Sequence, residues 1–370
     1  QSHFFENSVA EVLDAMGQYY TNFSSSSHAF HQYIKLIFTE TNEKTLFDNM
    51  WKKCYLVIAN CNTIIEKCGK KNDNLPEPYF SMIKGEALAL RGMLHFDMLR
   101  LFGPIPSELS KESIPYQTTS KQQMSSLLPG TEALELVIKD LKDALDLLKM
   151  SDPYLVENKN VYDDTDVNLR QFRMNYYAVK ALEARVLQYI GDYKNAAIAA
   201  KVVTDQIGEK GKVFSWTNVT TVLANMDYSF FNEVVFGINN PDMLSNYNSF
   251  YNKTDINDLY AVDRDNLVQN IYSGFGDNLK AIIDVRARQW TESNDQGGSS
   301  VSYSQNGTYI SNKFNISANS MQLKTPYFFL FFFFCTLYPN FPSFRPRPKY
   351  SPCEYMMRPV PLMSKRPVSS

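Results

Sequence analysis

Apolar residues return every three or four positions along several stretches of the chain, with polar or Gly/Pro-containing breaks between them. The sharpest stretch is 83–106. Ile83, Ala87, Leu90, Leu94, Met98 and Leu101 line one face of a helix, and Phe96, Leu99 and Phe102 widen the stripe. That width predicts a helix buried on more than one side. Glu86 and Arg91 are expected to face away from its centre, while Asp97 and Arg100 stand three apart, close enough to pair. Gly103 is expected to give a left-handed stop, Pro104 forbids continuation, and Pro106 keeps the exit extended.

The same spacing recurs on either side. Phe47, Met50, Trp51, Cys54, Ile58, Cys61, Ile65 and Cys68 predict a helix over 46–68, ended by Gly69 and a Lys-Lys-Asn-Asp-Asn segment. Two long helices joined by a short polar turn should lie antiparallel. Phe5, Val9, Val12, Leu13 and Met16 suit a helix within 1–20, and Ser24 to Ser27 form a polar loop. Residues 107–130 read as a long polar excursion. Thr131 to Met150 is amphipathic through Leu134, Ile138, Leu141, Leu145 and Leu148, and Glu135 can pair with Lys139 on the wet side. Residues 175–190 and 193–207 form another hairpin around Gly191-Asp192, where Ala181, Ala184, Ala196, Ala197 and Ala200 permit close approach. Helix pairs at 46–102, 131–190 and 173–207 would share helices. This is tetratricopeptide-like, with a period too irregular to define an array.

After Gly211 the texture changes to aromatics among Asn, Ser and Thr. Glu233 to Ile238 reads as a strand, 277–288 as a short helix, and 297–309 is Ser/Gly-rich. The run 246–252 alternates Tyr and Phe with amides. Sugar recognition uses that mixture: a ring stacks on the C–H face of a pyranose while amides bond the hydroxyls. Packing of each ring into its own loop is the plain alternative. As a group, Trp216, Tyr228, Tyr247, Tyr251 and Trp290 are the candidate ligand-binding residues.

Residues 85–106 also resemble the signature of the SusD/RagB family: an acid-Ala start, a Leu-Arg-Ala-like centre, a Phe-Asp-Leu-x-Arg segment and a Phe-Gly-x-x-Pro end. The matching residues are Glu86, Ala87, Leu90, Arg91, Phe96, Asp97, Arg100, Phe102, Gly103 and Pro106. Gly92 replaces the usual Ala, and His95 stands where an aromatic is common. Residues 47–67, 137–148 and 176–200 resemble the neighbouring helices of that family. The resemblance covers 40–210 well, 211–324 loosely and the tail not at all. It implies a mainly α fold of tetratricopeptide-like helical hairpins with a loop-rich, aromatic-rich insertion region. It also implies a lipid-anchored protein on the extracellular face of the outer membrane, a binding protein and not an enzyme. Such proteins capture glycans, or peptides in some branches, for a SusC-like TonB-dependent transporter. The ligand residues lie outside the matching motifs and are not implied. Glycan binding is the expected function. A peptide-binding member of the family and a helical-repeat adaptor for protein partners are the alternatives.

Composition narrows the classes further. With 21% charged residues and a net charge of -2, the chain of 370 residues carries no field for nucleic acid. No catalytic motif such as G-x-S-x-G or H-E-x-x-H occurs, and four histidines offer few bases. No cofactor is expected. Five cysteines are an odd number for a paired framework. Cys54, Cys61 and Cys68 lie seven apart, about 10 Å along a helix, and are expected as small buried hydrophobes. His28 and His31 are expected as surface histidines rather than a metal pair. Asp164-Thr-Asp166-Val-Asn168 begins like a calcium loop, but Leu169 replaces the required Gly and Asn175 the closing acid. Gln1 opens without a basic and then apolar leader, so a processed or truncated sequence is expected, the lipidated Cys of the family preceding this point.

The chain therefore divides into a helical scaffold over 1–210, a loop-rich ligand region over 211–324 and an aberrant tail over 325–370. Tyr327 to Tyr338 is nearly continuous Phe, shorter than the about 20 residues that span a bilayer, and Pro recurs among Arg and Lys beyond it. A frame shift at or before the codons of the Phe run is the expected origin of this tail. A clean read of the locus in the stated frame through residue 370 would remove that idea.

Overall fold

The heptad-spaced stripe from Cys54 to Cys68 folds as the first long helix of a computed structural model. The residues it describes are 12–13, 16, 31–38, 41–121, 125–156, 169–208, 212–218, 220, 231–238, 262–263, 290–292 and 308–311. Among them the helices are α1 (His31–Ile34), α2 (Thr41–Cys68), α3 (Tyr79–Phe102), α4 (Gly130–Lys149), α5 (Tyr176–Tyr189) and α6 (Tyr193–Thr204). The fold of these residues is mostly helical. They fall into two compact units, one within 38–245 and one within 11–37 and 246–313.

In the helical unit, α3 is the centre. Its buried residues run round most of its circumference, from Met82, Leu88 and Ala89 to Phe96, Met98 and Leu99. It packs between α2 and α4, and α5 packs on α4 and α6. Leu134, Leu141, Ala144, Leu145 and Leu148 give α4 the single buried stripe that its sequence predicts. Close approach of α3 to α4 depends on two glycines. A Cβ on Gly85 would stand 3.0 Å from Leu148 Cγ and 3.3 Å from the Ala144 carbonyl, and one on Gly92 3.2 Å from Leu141 Cδ2. The three α2 cysteines are buried free thiols, and burial pushes the Cys61 thiol up to about 11.

Helix ends follow the residues that stand there. Asn175 caps α5 by accepting from the Ala178 amide, and Asp192 caps α6 by accepting from the Asn195 amide. Gly69 takes the left-handed conformation at the end of α2, with φ 61°. Gly103 does not: its φ is -90° and its backbone is extended. Glycine is needed at 103 for space, because a Cβ would lie 2.5 Å from the Leu99 carbonyl oxygen.

Other local readings also change. Residues 107–121 are not a free polar excursion: Ile114 and Tyr116 are buried against the helices. Lys139 pairs with Asp143 rather than with Glu135. His31 is buried rather than on the surface. Residues 233–238 are not a strand. A short 3-10 turn, Phe231–Glu233, leads into irregular chain whose Val235 carbonyl and Gly237 amide bond Asn175 and Gln171.

Short strands follow the helices. β1 (Ile207–Gly208) and β2 (Phe214–Ser215) pair in parallel, Ile207 opposite Phe214. In the second unit, β3 (Val262–Asp263), β4 (Trp290–Glu292) and β5 (Thr308–Ser311) form an antiparallel sheet of order β3-β5-β4. Val262 stands opposite Tyr309 and Trp290 opposite Ser311. The predicted helix at 277–288, the Asp164–Asn168 loop, His28 and the tail lie outside the described residues. Among the described residues no helix is long and apolar enough to cross a membrane, and no group of three or more His, Cys, Asp or Glu could hold a metal ion.

Candidate ligand-binding surface

Two buried polar networks fix the frame on which the candidate surface stands. In the first, Arg91 makes a bidentate pair with Asp140, at 2.6 Å through both Nε and Nη2, and its Nη1 donates to Asn62 at 2.9 Å. Tyr116 Oη donates to the same Asp140 at 2.7 Å. Asn62 Nδ2 donates to the Gln117 and Thr119 carbonyls, strapping 116–119 onto α2 and α3. His95 completes the strap. Its Nε2 accepts from the Gln117 amide at 3.0 Å, so its proton sits on Nδ1 and donates to the Arg91 carbonyl at 2.9 Å. Burial holds this imidazole neutral, with its pKa down at about 3. An imidazole with both nitrogens so engaged is a structural group, not a general base.

In the second network Arg170, 1% exposed, lies between two carboxylates. Its Nη1 donates to Glu86 at 2.6 Å, and its Nε and Nη2 donate to Asp152 at 3.2 and 3.0 Å. Arg173 adds a second guanidinium on Glu86, and Asp152 also accepts from the Tyr176 amide at 2.7 Å. Glu86 and Arg91 thus point inward into ion pairs, against the outward placement expected of charges on a helix. A buried ion needs such a partner more than it needs solvent.

The second network carries the chain that follows α6. Asn175 Nδ2 donates to the Arg170 carbonyl at 3.0 Å and to the Val235 carbonyl at 2.7 Å. The Gly237 amide donates to the Gln171 carbonyl at 2.7 Å. Alongside, Phe214 is buried edge-on against Tyr154 and Tyr177, with ring centroids 5.8 and 5.9 Å away. Burial and then the Asp152 charge push the Tyr154 phenol up to about 12. Three residues past Phe214, the Thr217 amide donates to Glu233 Oε1 at 2.9 Å. Between these anchors stands Trp216, 53% exposed. Thr217 Oγ1 is buried and has no hydrogen-bond partner among the described residues.

Trp216 is thus an exposed indole on an anchored backbone. Trp290 opens β4 in the other unit, its backbone paired with Ser311. Tyr228, Tyr247 and Tyr251 lie outside the described residues. Sequence reasoning misses Glu233, which sits 16 residues from the amide it holds and carries no local signal.

Residues 6–186 match the model of a SusD-like family described as starch-binding and associating with the outer membrane. No curated protein matches the chain. Among solved structures, a candidate sugar binding protein from Bacteroides vulgatus is similar, at 18% identity and TM-score 0.52 over 83% of this chain. A SusD superfamily protein from Bacteroides vulgatus gives 16% identity and TM-score 0.49 over 89% of this chain and 71% of its own. A SusD superfamily protein from Bacteroides thetaiotaomicron gives 24% identity and TM-score 0.40 over 51% of this chain. The chain spans 66% of the candidate sugar binding protein and 38% of the Bacteroides thetaiotaomicron protein, less than two thirds of each.

Proposed function

We propose that this chain, which belongs to the SusD-like family over residues 6–186, binds glycans at the cell surface and does not catalyse their breakdown. The observation that carries the reading is Trp216: an indole 53% exposed, held between a buried Phe214 and a Thr217 amide bonded to Glu233. A flat ring carried on an anchored backbone loses less entropy when a pyranose stacks on it than one on a free loop. The family description as starch-binding and associating with the outer membrane supports a polysaccharide or oligosaccharide ligand.

In this proposal residues 1–210 are the scaffold and 211–324 the ligand region, with Trp216, Tyr228, Tyr247, Tyr251 and Trp290 as its binding residues. The tail over 325–370 belongs to neither. Delivery to a SusC-like TonB-dependent transporter, an N-terminal lipid anchor and the extracellular face of the outer membrane are parts of the same proposal, supported by the resemblance over 40–210.

Calorimetric titration with panels of polysaccharides and peptides tests it. Binding to one polysaccharide class, weakened about tenfold or more by Trp216→Ala, is the expected result, the loss of a stacking ring then being worth about 1.4 kcal/mol or more. Binding to peptides alone would replace the glycan reading with a peptide one. No binding in either panel by a folded chain would favour an adaptor for protein partners.

A further inference from the structure

We propose that Glu233 is a ligand-binding group at the Trp216 surface, and that its charge sets the class of glycan taken there: neutral sugars, not uronate- or sulfate-bearing ones. The inference rests on the glycan reading of the Trp216 segment.

The geometry starts from one hydrogen bond. Glu233 Oε1 lies 2.9 Å from the amide nitrogen of Thr217, the residue after Trp216. Covalent geometry then keeps this carboxylate within about 6 Å of the Trp216 Cα. Glu233 is half-buried, and the Thr217 amide is what holds its carboxylate in place. Oε1 is engaged by the amide, and Oε2 has no hydrogen-bond partner among the described residues. An ionised carboxylate accepts and never donates. A sugar hydroxyl donates readily, and a hydroxyl-carboxylate bond is charge-assisted. On the same residue as that amide, the buried Thr217 Oγ1 also has no hydrogen-bond partner among the described residues.

The charge of the segment points the same way. Among residues 212–218 and 231–238 the only cation is Lys212, and its Nζ donates to the Asp205 carbonyl at 2.6 Å, at the end of α6. The arginines on the element packed against 235–237, Arg170 and Arg173, are paired with Glu86 and Asp152. A uronate or sulfate brought to the indole meets a fixed like charge, an arrangement that interfaces use to reject wrong partners.

The test titrates the full chain calorimetrically with neutral polysaccharides (starch, xylan, laminarin) and acidic ones (homogalacturonan, heparin), comparing Trp216→Ala and Glu233→Gln. Glutamine keeps an acceptor for the Thr217 amide, removes the charge and replaces the second acceptor oxygen by an NH2 donor. The expected result is binding to a neutral polysaccharide, weakened about tenfold in either variant, with the neutral-over-acidic preference falling about tenfold in Glu233→Gln. A second measurement needs no variant. Raising salt should leave neutral binding unchanged and strengthen whatever acidic binding is seen, as screening removes the repulsion. If Trp216→Ala abolishes binding while Glu233→Gln changes neither affinity nor preference, the Glu233 inference falls and the glycan reading stands. A wild type that prefers acidic polysaccharide overturns the Glu233 inference in the same way. Binding unaffected by Trp216→Ala, or no binding at all, overturns the Trp216 reading and this inference with it.

Discussion

His95 shows how a titratable side chain becomes a fixed part of the frame. Its folded pKa of about 3 stands below the ordinary 6.5 because burial disfavours the charged ring. The unfolded chain takes up a proton below 6.5, whereas the folded chain does not until about 3. Stability is therefore complete above the ordinary pKa and falls as pH drops through this window, by up to about 1.4 kcal/mol per pH unit. His95→Gln keeps one donor and one acceptor and should lack that slope. Denaturant titrations of both proteins at about pH 7, 6, 5 and 4 would show the wild type losing ground to the variant, and parallel curves would refute the assignment. Arg170 is the complementary case. Arg170→Met leaves Glu86 and Asp152 with less compensation inside the protein, and a loss of about 3–5 kcal/mol is expected from equilibrium unfolding. None of these partnerships is legible in the sequence. Arg91 meets Asp140 at a separation of 49 residues, and helical periodicity speaks only of neighbours three or four apart.

Elements are far easier to read than contacts. The predicted helices at 46–68, 83–102, 131–150, 175–190 and 193–207 stand at 41–68, 79–102, 130–149, 176–189 and 193–204, because each has an apolar stripe and most of their ends meet Gly, Pro, Asn or Asp. Residues 233–238 mislead because Val234, Val235 and Phe236 are an apolar run of strand type, yet their backbone bonds go to the start of α5 and not to a strand. The site is half legible in the same way. Trp216 stands out among amides by composition, whereas Glu233 has meaning only once the chain has folded back. Close packing of α3 on α4 gives a prediction at this scale. Gly85→Val would drive methyl groups against Leu148 and the Ala144 carbonyl, and the helices would have to part. A loss of about 1–3 kcal/mol is expected, as for other overpacked cores, and a melting temperature equal to wild type would refute the close approach.

For the whole molecule, the second polar network is a question of chain length as well as charge. Glu86 waits on a guanidinium 84 residues further along, and Asp152 on the same one 18 residues along. Helices α3 and α4 share an apolar face, but a fragment ending before residue 170 leaves Glu86 and Asp152, both buried in the native protein, without the guanidinium that pairs with them. Such a fragment is not a smaller version of the scaffold. Proteolytic pieces or expression truncations that stop between α4 and α5 should be swollen and protease-sensitive, and those that include Arg170 and α5 should not. The arginine thus divides pieces of this chain that can bury both carboxylates as ion pairs from those that cannot.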